Sequence, residues 1–408
     1  MNAPYKPFAR AAQRGLTLIE MLVAMVIGLV VVLAVTSVVT LGEARKRSTT
    51  STNDMNQSGS YAIYMIDRLL RSAGSGFAQT GTRGVFGCRL SAARLIGGTA
   101  TTILPRTASA FPAPFNTLLG GSGAAAAGNL RLAPFLIAKG DDGASDTLVV
   151  MGGNAAAGDV PRRIRSGIAG NDNLRLDNTI GLRNGDIGLV SREGTADCLL
   201  EQVSSTNTEL ATAGNEVLGM GGRYFTSTGA TTSLATLAAD GTALFSPLGN
   251  VGANNLQFQL VGVNANRTLV AYDLLRAAGT GSDEGTDASA MQALADGVVA
   301  LYAVYGVDTD SNGTADTWID PAATGYAIGT LMLAPDTMRH IVAARVALVM
   351  KSSLFEKEPV TPGSLTIFGD LATASRRTLT IATADQNFRY RVIDTTIPLR
   401  NMLLLPFP

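Results

Sequence analysis

Arg14-Gly15-Leu16-Thr17-Leu18-Ile19-Glu20 is the stretch whose reading decides the fold. A short leader precedes it, with Lys6, Arg10 and Arg14 as its charges and no acid. A run of 26 residues, Leu16–Leu41, follows Gly15 and carries one charge, Glu20. About 20 apolar residues cross a bilayer as a helix, so this run is long enough to span. A secretory signal is cut after its apolar run, at a small-residue motif. Here the expected cut lies before the run, between Gly15 and Leu16, so the span stays in the mature chain. The basic leader holds the N-terminus in the cytoplasm and sends the remainder to the periplasm. A carboxylate inside a membrane segment is costly, which makes Glu20 a functional residue by default.

The helix is expected to continue past the membrane. Beyond Leu41 comes a polar stretch rich in Ser and Thr, with Arg45, Lys46 and Arg47. Then Met55, Ala62, Ile63, Ile66, Leu69 and Leu70 recur at helical spacing and form an apolar stripe. Ser72-Ala73-Gly74-Ser75-Gly76 supplies the stop. This divides the chain into a leader (1–15), a long helix (16–73, of which 16–41 spans the membrane or forms a filament core) and a β-rich domain (74–408). Gly28 and Gly42 are points where the helix is expected to weaken.

Beyond Gly76 the pattern is that of short strands. Apolar, β-branched runs occur at Thr147–Met151, Asp186–Ser191, Cys198–Val203, Asn255–Val263, Thr268–Leu275, Gly297–Val307, Ile341–Met350, Arg377–Thr383 and Phe388–Ile397. Gly/Ala/Thr-rich stretches such as Gly120–Gly128 and Gly219–Gly241 read as loops, and Met291–Ala295 as a short helical turn. The economical architecture is α+β: a long N-terminal helix packed by its stripe on a largely antiparallel sheet.

Of the 408 residues 16% are charged, and Lys+Arg equals Asp+Glu at 32 each, so no general electrostatic argument favours nucleic acid as a partner. Two cysteines, Cys88 and Cys198, are an even count in a domain expected in the periplasm, where disulfides persist, and are expected to pair. No G-x-S-x-G, phosphate-binding loop or Cys–His set is present, so an enzyme is not expected.

The leader and its apolar run closely resemble the class III signal of type IV prepilins and pseudopilins, with Leu16 where that family usually has phenylalanine. The resemblance implies a prepilin peptidase that cuts after Gly15 and methylates the amine of Leu16. It also implies that Glu20 pairs with the N-terminal amine of a neighbouring subunit. The C-terminal half, with Gly297–Val307, an acidic loop, Val342–Met350 and the closing Ile397-Pro398-Leu399-Arg400-Asn401, is similar to PilW-type minor pilins. A minor pilin is expected in the inner membrane, single-pass with its C-terminal domain periplasmic, and later in the pilus. Its implied partners are other minor pilins, the major pilin, a tip adhesin, prepilin peptidase and the inner-membrane assembly machinery. Its implied work is assembly, priming or tip-complex formation. Two other readings remain open: an adhesive module presented on the pilus, and a minor pseudopilin of type II secretion, which is related through the J-type pseudopilins.

Asp308-Thr309-Asp310-Ser311-Asn312-Gly313-Thr314-Ala315-Asp316 fits D-x-[DN]-x-[DN]-G, the front of a calcium loop. Oxygens of Asp308, Asp310, Asn312 and Asp316 and the carbonyl of Thr314 are the candidate Ca²⁺ ligands, with Gly313 permitting the turn. Position twelve is Ile319 rather than Glu, and Asp320 is the nearest substitute. An Asx-rich hairpin without metal is the competing reading. Asp141, Asp142 and Asp146, the group Asp283, Glu284 and Asp287, and the basic Arg162, Arg163 and Arg165 read as solvated. His340 reads as structural or exposed.

Overall fold

The computed structural model describes residues 15, 17–78, 85–96, 98–105, 111–117, 130–141, 143–158, 160–165, 172–192, 197–206, 216–225, 233–239, 241–253, 255–275 and 290–404. Leu16, Asp142, Asp283, Glu284, Asp287 and the Gly120–Gly128 stretch lie outside them. The chain divides into two compact units, Met1–Asn53 and Asp54–Pro408.

Helix α1 (Leu18–Ser72) runs without a break through Gly28 and Gly42. In the first unit its apolar residues from Leu18 to Leu41 are all exposed, and the segment is long and apolar enough to cross a membrane. Its few polar side chains look after themselves. The hydroxyl of Thr36 donates to the carbonyls of Val32 and Leu33, Ser37 to Ala34, and Thr40 to Thr36 and Ser37. A hydroxyl bonded to its own helix carries little desolvation penalty in lipid.

In the second unit α1 presents Met55, Ala62, Ile66, Leu69 and Leu70 to the core. Ile63 is half-buried against it. Gly59 is the member of the stripe that hydropathy does not show. A Cβ there would come within 2.3 Å of the tip of the Ile393 side chain, which would have to shift to admit any larger residue.

The strands follow in chain order. They are β1 (Arg89–Ile96), β2 (Thr99–Leu104), β3 (Phe135–Ala138), β4 (Thr147–Gly152), β5 (Arg162–Arg165), β6 (Asn173–Leu176), β7 (Asp186–Ser191), β8 (Asp197–Thr206) and β9 (Val217–Met220). After a short helix, α2 (Leu234–Ala238), come β10 (Leu244–Asn250), β11 (Gln257–Val263), β12 (Thr268–Asp273), β13 (Met291–Asp296), β14 (Val298–Val307) and β15 (Thr317–Ile319). Helices α3 (Ile328–Leu331) and α4 (Pro335–Arg339) precede β16 (Ile341–Phe355), β17 (Ser364–Ile367), β18 (Arg377–Thr380) and β19 (Phe388–Pro398).

Three main sheets result, with the order β2-β1-β8-β7-β10-β5-β6-β9, the order β13-β12-β11-β4-β3 and the order β15-β14-β16-β19; β17 and β18 pair as a separate hairpin. Among the described residues all strand pairings are antiparallel except β1 with β8. The fold is thus α+β as expected, with more than one sheet behind the helix. Met291–Ala295, expected as a helical turn, is strand β13 on the edge of the second sheet. Its Met, Gln, Ala and Leu favour helix, but pairing with β12 overrides that weak preference. The Gly219–Gly241 stretch, expected as loop, holds the end of β9 and all of α2.

Chain 153–256 is an insertion between β4 and β11, which pair directly with Gly152 opposite Gln257. Most of it forms a barrel. The pairings β8–β7–β10–β5–β6–β9 close through β9 with β8, leaving no free edge in that ring. Alternate residues point to opposite faces of a strand. Inward-facing Ile164, Leu174, Val190, Leu199 and Phe245 therefore make one core, into which α2 buries Leu234 and Leu237. Outward-facing Ile187, Leu189, Leu200 and Leu248 belong to the main core with α1.

Candidate functional site

The N-terminus of α1 is built by two residues of the signature stretch. Glu20 takes the amide and the hydroxyl of Thr17 on one carboxylate oxygen, at 3.0 and 2.9 Å. The amide of Glu20 donates back to the Thr17 hydroxyl oxygen at 3.3 Å. This is a reciprocal capping box, which satisfies two amides that a helix start otherwise leaves unpaired. Both Gly15 and Glu20 are exposed.

Cys88 and Cys198 form a disulfide, with 5.7 Å between Cα atoms. It closes a sequence separation of 110 residues, which in the chain-entropy account contributes ~4–5 kcal/mol. It sits at the parallel β1–β8 seam, where Leu90 is opposite Cys198. Beside it Arg89 grips Asp197 with two bonds of 2.7 and 3.0 Å.

The acidic loop connects β14 to β15. Asp308 is fully buried and organises it: one carboxylate oxygen takes the amide of Asn312 at 3.2 Å, the other that of Gly313 at 2.7 Å. Its backbone carbonyl lies 3.1 Å from Nδ1 of His340, which gives that histidine a structural place. Gly313 has φ +83°, the left-handed turn it was expected to permit. Asp316 accepts the amide and hydroxyl of Thr309, and these bonds hold its carboxyl below the usual range. Carboxylate oxygens of Asp308, Asp310 and Asp316 all lie within 4.8 Å of one another. Asn312 turns its side-chain oxygen to the amide of Thr314. Asp320 does not complete the set. It is bonded to Lys139 at 3.0 Å and to Arg377 at 3.2 Å.

Asp146, expected in solvent, is buried. Its carboxylate accepts the amides of Gly140 and Ala303, both at 3.0 Å, and lies 3.3 Å from the Arg377 guanidinium. Its carboxyl ends up raised to about 6, chiefly by burial. Arg377 and the two amides pull it down, while Asp320 pushes it further up. One cluster thus joins the β3–β4 turn, β14, β18 and the loop after β15. Arg162 is also buried. It donates to the carbonyl of Ile180 at 2.6 Å and to the side chain of Asn178, so it is a brace rather than part of a solvated run. Arg163 and Arg165 are exposed, as expected.

Residues 10–36 match the prokaryotic N-terminal methylation motif, and residues 261–401 match the family of type IV pilus-assembly protein W. No curated protein and no solved structure matches the chain. An apolar, capped N-terminal helix that carries this methylation motif, in front of an α+β domain, is the arrangement of type IV pilins. Over residues 261–401 the chain is PilW-like. The matched region runs from β11 to Asn401 and takes in the acidic loop, Arg377 and the β14–β16–β19 sheet. The inserted barrel lies outside it. These matches fit a structural component of the pilus system, and the single long apolar helix fits a membrane anchor.

Proposed function

We propose that this protein is a minor pilin that primes type IV pilus assembly or joins the complex at the pilus tip. Prepilin peptidase removes residues 1–15, and the methylated amine of Leu16 becomes the new N-terminus. Glu20 of one subunit meets that amine on the next, inside lipid or the filament core, where the alternative for either charge is costly desolvation. The observation that supports this most is the Thr17–Glu20 box at the head of an unbroken apolar helix, in a chain whose C-terminal third is PilW-like. Capping orients a carboxylate at the helix start and leaves it exposed for a second partner. Other minor pilins, the major pilin, a tip adhesin and the inner-membrane machinery are the proposed partners. Deleting the coding sequence tests this reading. Loss of surface pili supports it. Normal pili with lost attachment favour an adhesive module, and normal pili with lost protein secretion favour a type II pseudopilin.

A second proposal concerns the acidic loop, which we infer holds Ca²⁺ through Asp308, Asp310 and Asp316, with Asn312 and the carbonyl of Thr314 beside them. Three carboxylates converging within 4.8 Å support it, because without a cation they repel. The hard oxygen donors suit Ca²⁺, and the absence of an acid at Ile319 points to modest affinity.

A further inference from the structure

On α1, Met65, Arg68 and Leu69 face one wall of a cavity of about 330 Å³. The opposite wall is the face of the second sheet, with Gln257 and Gln259 on β11 and Gln292 on β13. This volume is at the low end for small-molecule sites, which are usually more apolar. Here five side-chain amides line the cavity beside five apolar residues, and Asn255 is tied to the backbone of Asn250 and Asn154. Gln257 is engaged by the hydroxyl of Ser72. Among the described residues the side chains of Gln259, Gln292, Asn154 and Arg68 have no hydrogen-bond or ion-pair partner. Arg71, one turn from Asp67, is held by it at 2.6 Å, whereas Arg68 stands at the cavity rim without a counter-charge.

We propose that this cavity binds a carboxylate-bearing sugar unit, a uronic acid. Each free amide offers a donor and an acceptor side by side, which matches the paired hydroxyls of a pyranose. Leu69 and Leu294 supply an apolar patch for the C–H face of the ring. Arg68 supplies a fork for the carboxylate. A peptide fits less well. Its backbone is best met by a free strand edge, and this cavity opens on a sheet face lined by side chains. The inference does not rest on the assembly reading, and its failure would leave that reading intact.

The test uses the full-length protein in detergent micelles at near-physiological salt. Three probes are compared by saturation-transfer NMR and calorimetry: tri-galacturonate, its neutral methyl ester, and tri-alanine with a free carboxylate. Tri-galacturonate is expected to bind with Kd of ~1 mM or tighter, and the ester about tenfold more weakly. Arg68→Gln should remove that tenfold preference and leave the ester's affinity unchanged. The pair Gln259→Leu and Gln292→Leu should weaken both sugars. Each variant must keep the parent melting temperature; if the glutamine pair does not fold, Arg68→Gln, at an exposed position, decides alone. No transfer to either sugar at ~10 mM, uronate binding unaffected by Arg68→Gln, or binding of tri-alanine in preference to the sugars would each overturn the proposal.

Discussion

The side-chain amide of Asn401 donates to the backbone carbonyl of Ala73 at 2.9 Å, across a sequence separation of 328 residues. Ala73 is the first residue beyond α1, where helix carbonyls lack partners in their own helix. The last residue of the PilW-like region therefore closes the end of the first helix. Asn401→Ala should destabilise the protein by about 1–2 kcal/mol, since the carbonyl of buried Ala73 is left without its donor. Chemical denaturation read by circular dichroism checks this, and an unchanged midpoint would remove the bond from the account.

Glu20 has two separable duties: capping its own helix and, as proposed, pairing with the amine of Leu16 in a neighbour. Glutamine keeps the first and loses the second, because its oxygen still accepts the Thr17 amide. Glu20→Ala and Glu20→Gln should both insert, be cleaved and yet enter filaments poorly. If Glu20→Gln assembles like the parent while Glu20→Ala does not, the residue works through capping alone.

For Asp146 the sign of the pH effect follows from its raised value. Its carboxyl titrates near 6 in the folded protein and near 3.9 when unfolded. Between those values the folded state holds the extra proton, so stability falls as pH rises from about 4 to 6 and then levels. The shift corresponds to roughly 2–3 kcal/mol. Asp146→Asn should flatten that part of the stability–pH curve, measured by urea midpoints at a series of pH values. A variant with the parent's slope would assign the titration to another group.

Calcium should raise the melting temperature of the protein, and chelator should reverse the gain. Mg²⁺ should substitute poorly, since it demands a tighter octahedral site. Asp310→Ala is the informative variant. Asp310 is exposed and shares the Asn312 amide with Asp308, whereas Asp308 is buried and also holds the Gly313 amide, so its removal would cost the loop more with or without metal. A melting curve indifferent to millimolar Ca²⁺ would leave the loop as an Asx-rich hairpin.

The parts of this architecture that could be read in advance share one property: their signal is local. The Arg14–Glu20 stretch, the helical stripe of α1 and the apolar runs of β14, β16 and β19 each carry their periodicity within a few residues. The barrel does not. β5, β6 and β9 are four residues each, and β10 contains Pro247 and a bulge before Gly249, both of which read as breakers. Asp146 was illegible for a related reason. It sits in a run of Gly, Asp and Ser, and its partner Arg377 is 231 residues away. Gly59 looks neutral in a polar helix surface until Ile393 is seen above it. The cysteine pairing was accessible because only one partner existed, but its place on a parallel seam was not.

β7 and β8 are shared between two interiors. Their inward side chains fill the barrel, and Ile187, Leu189 and Leu200 on the other face fill the main core against which α1 packs. Opening the barrel would strip one wall from that main core, and loosening the main core would uncover the barrel's outside. The inserted segment should therefore have no private melting transition: it should unfold with the rest of Asp54–Pro408 in a single cooperative event, its interior amides sharing the exchange protection of the larger body.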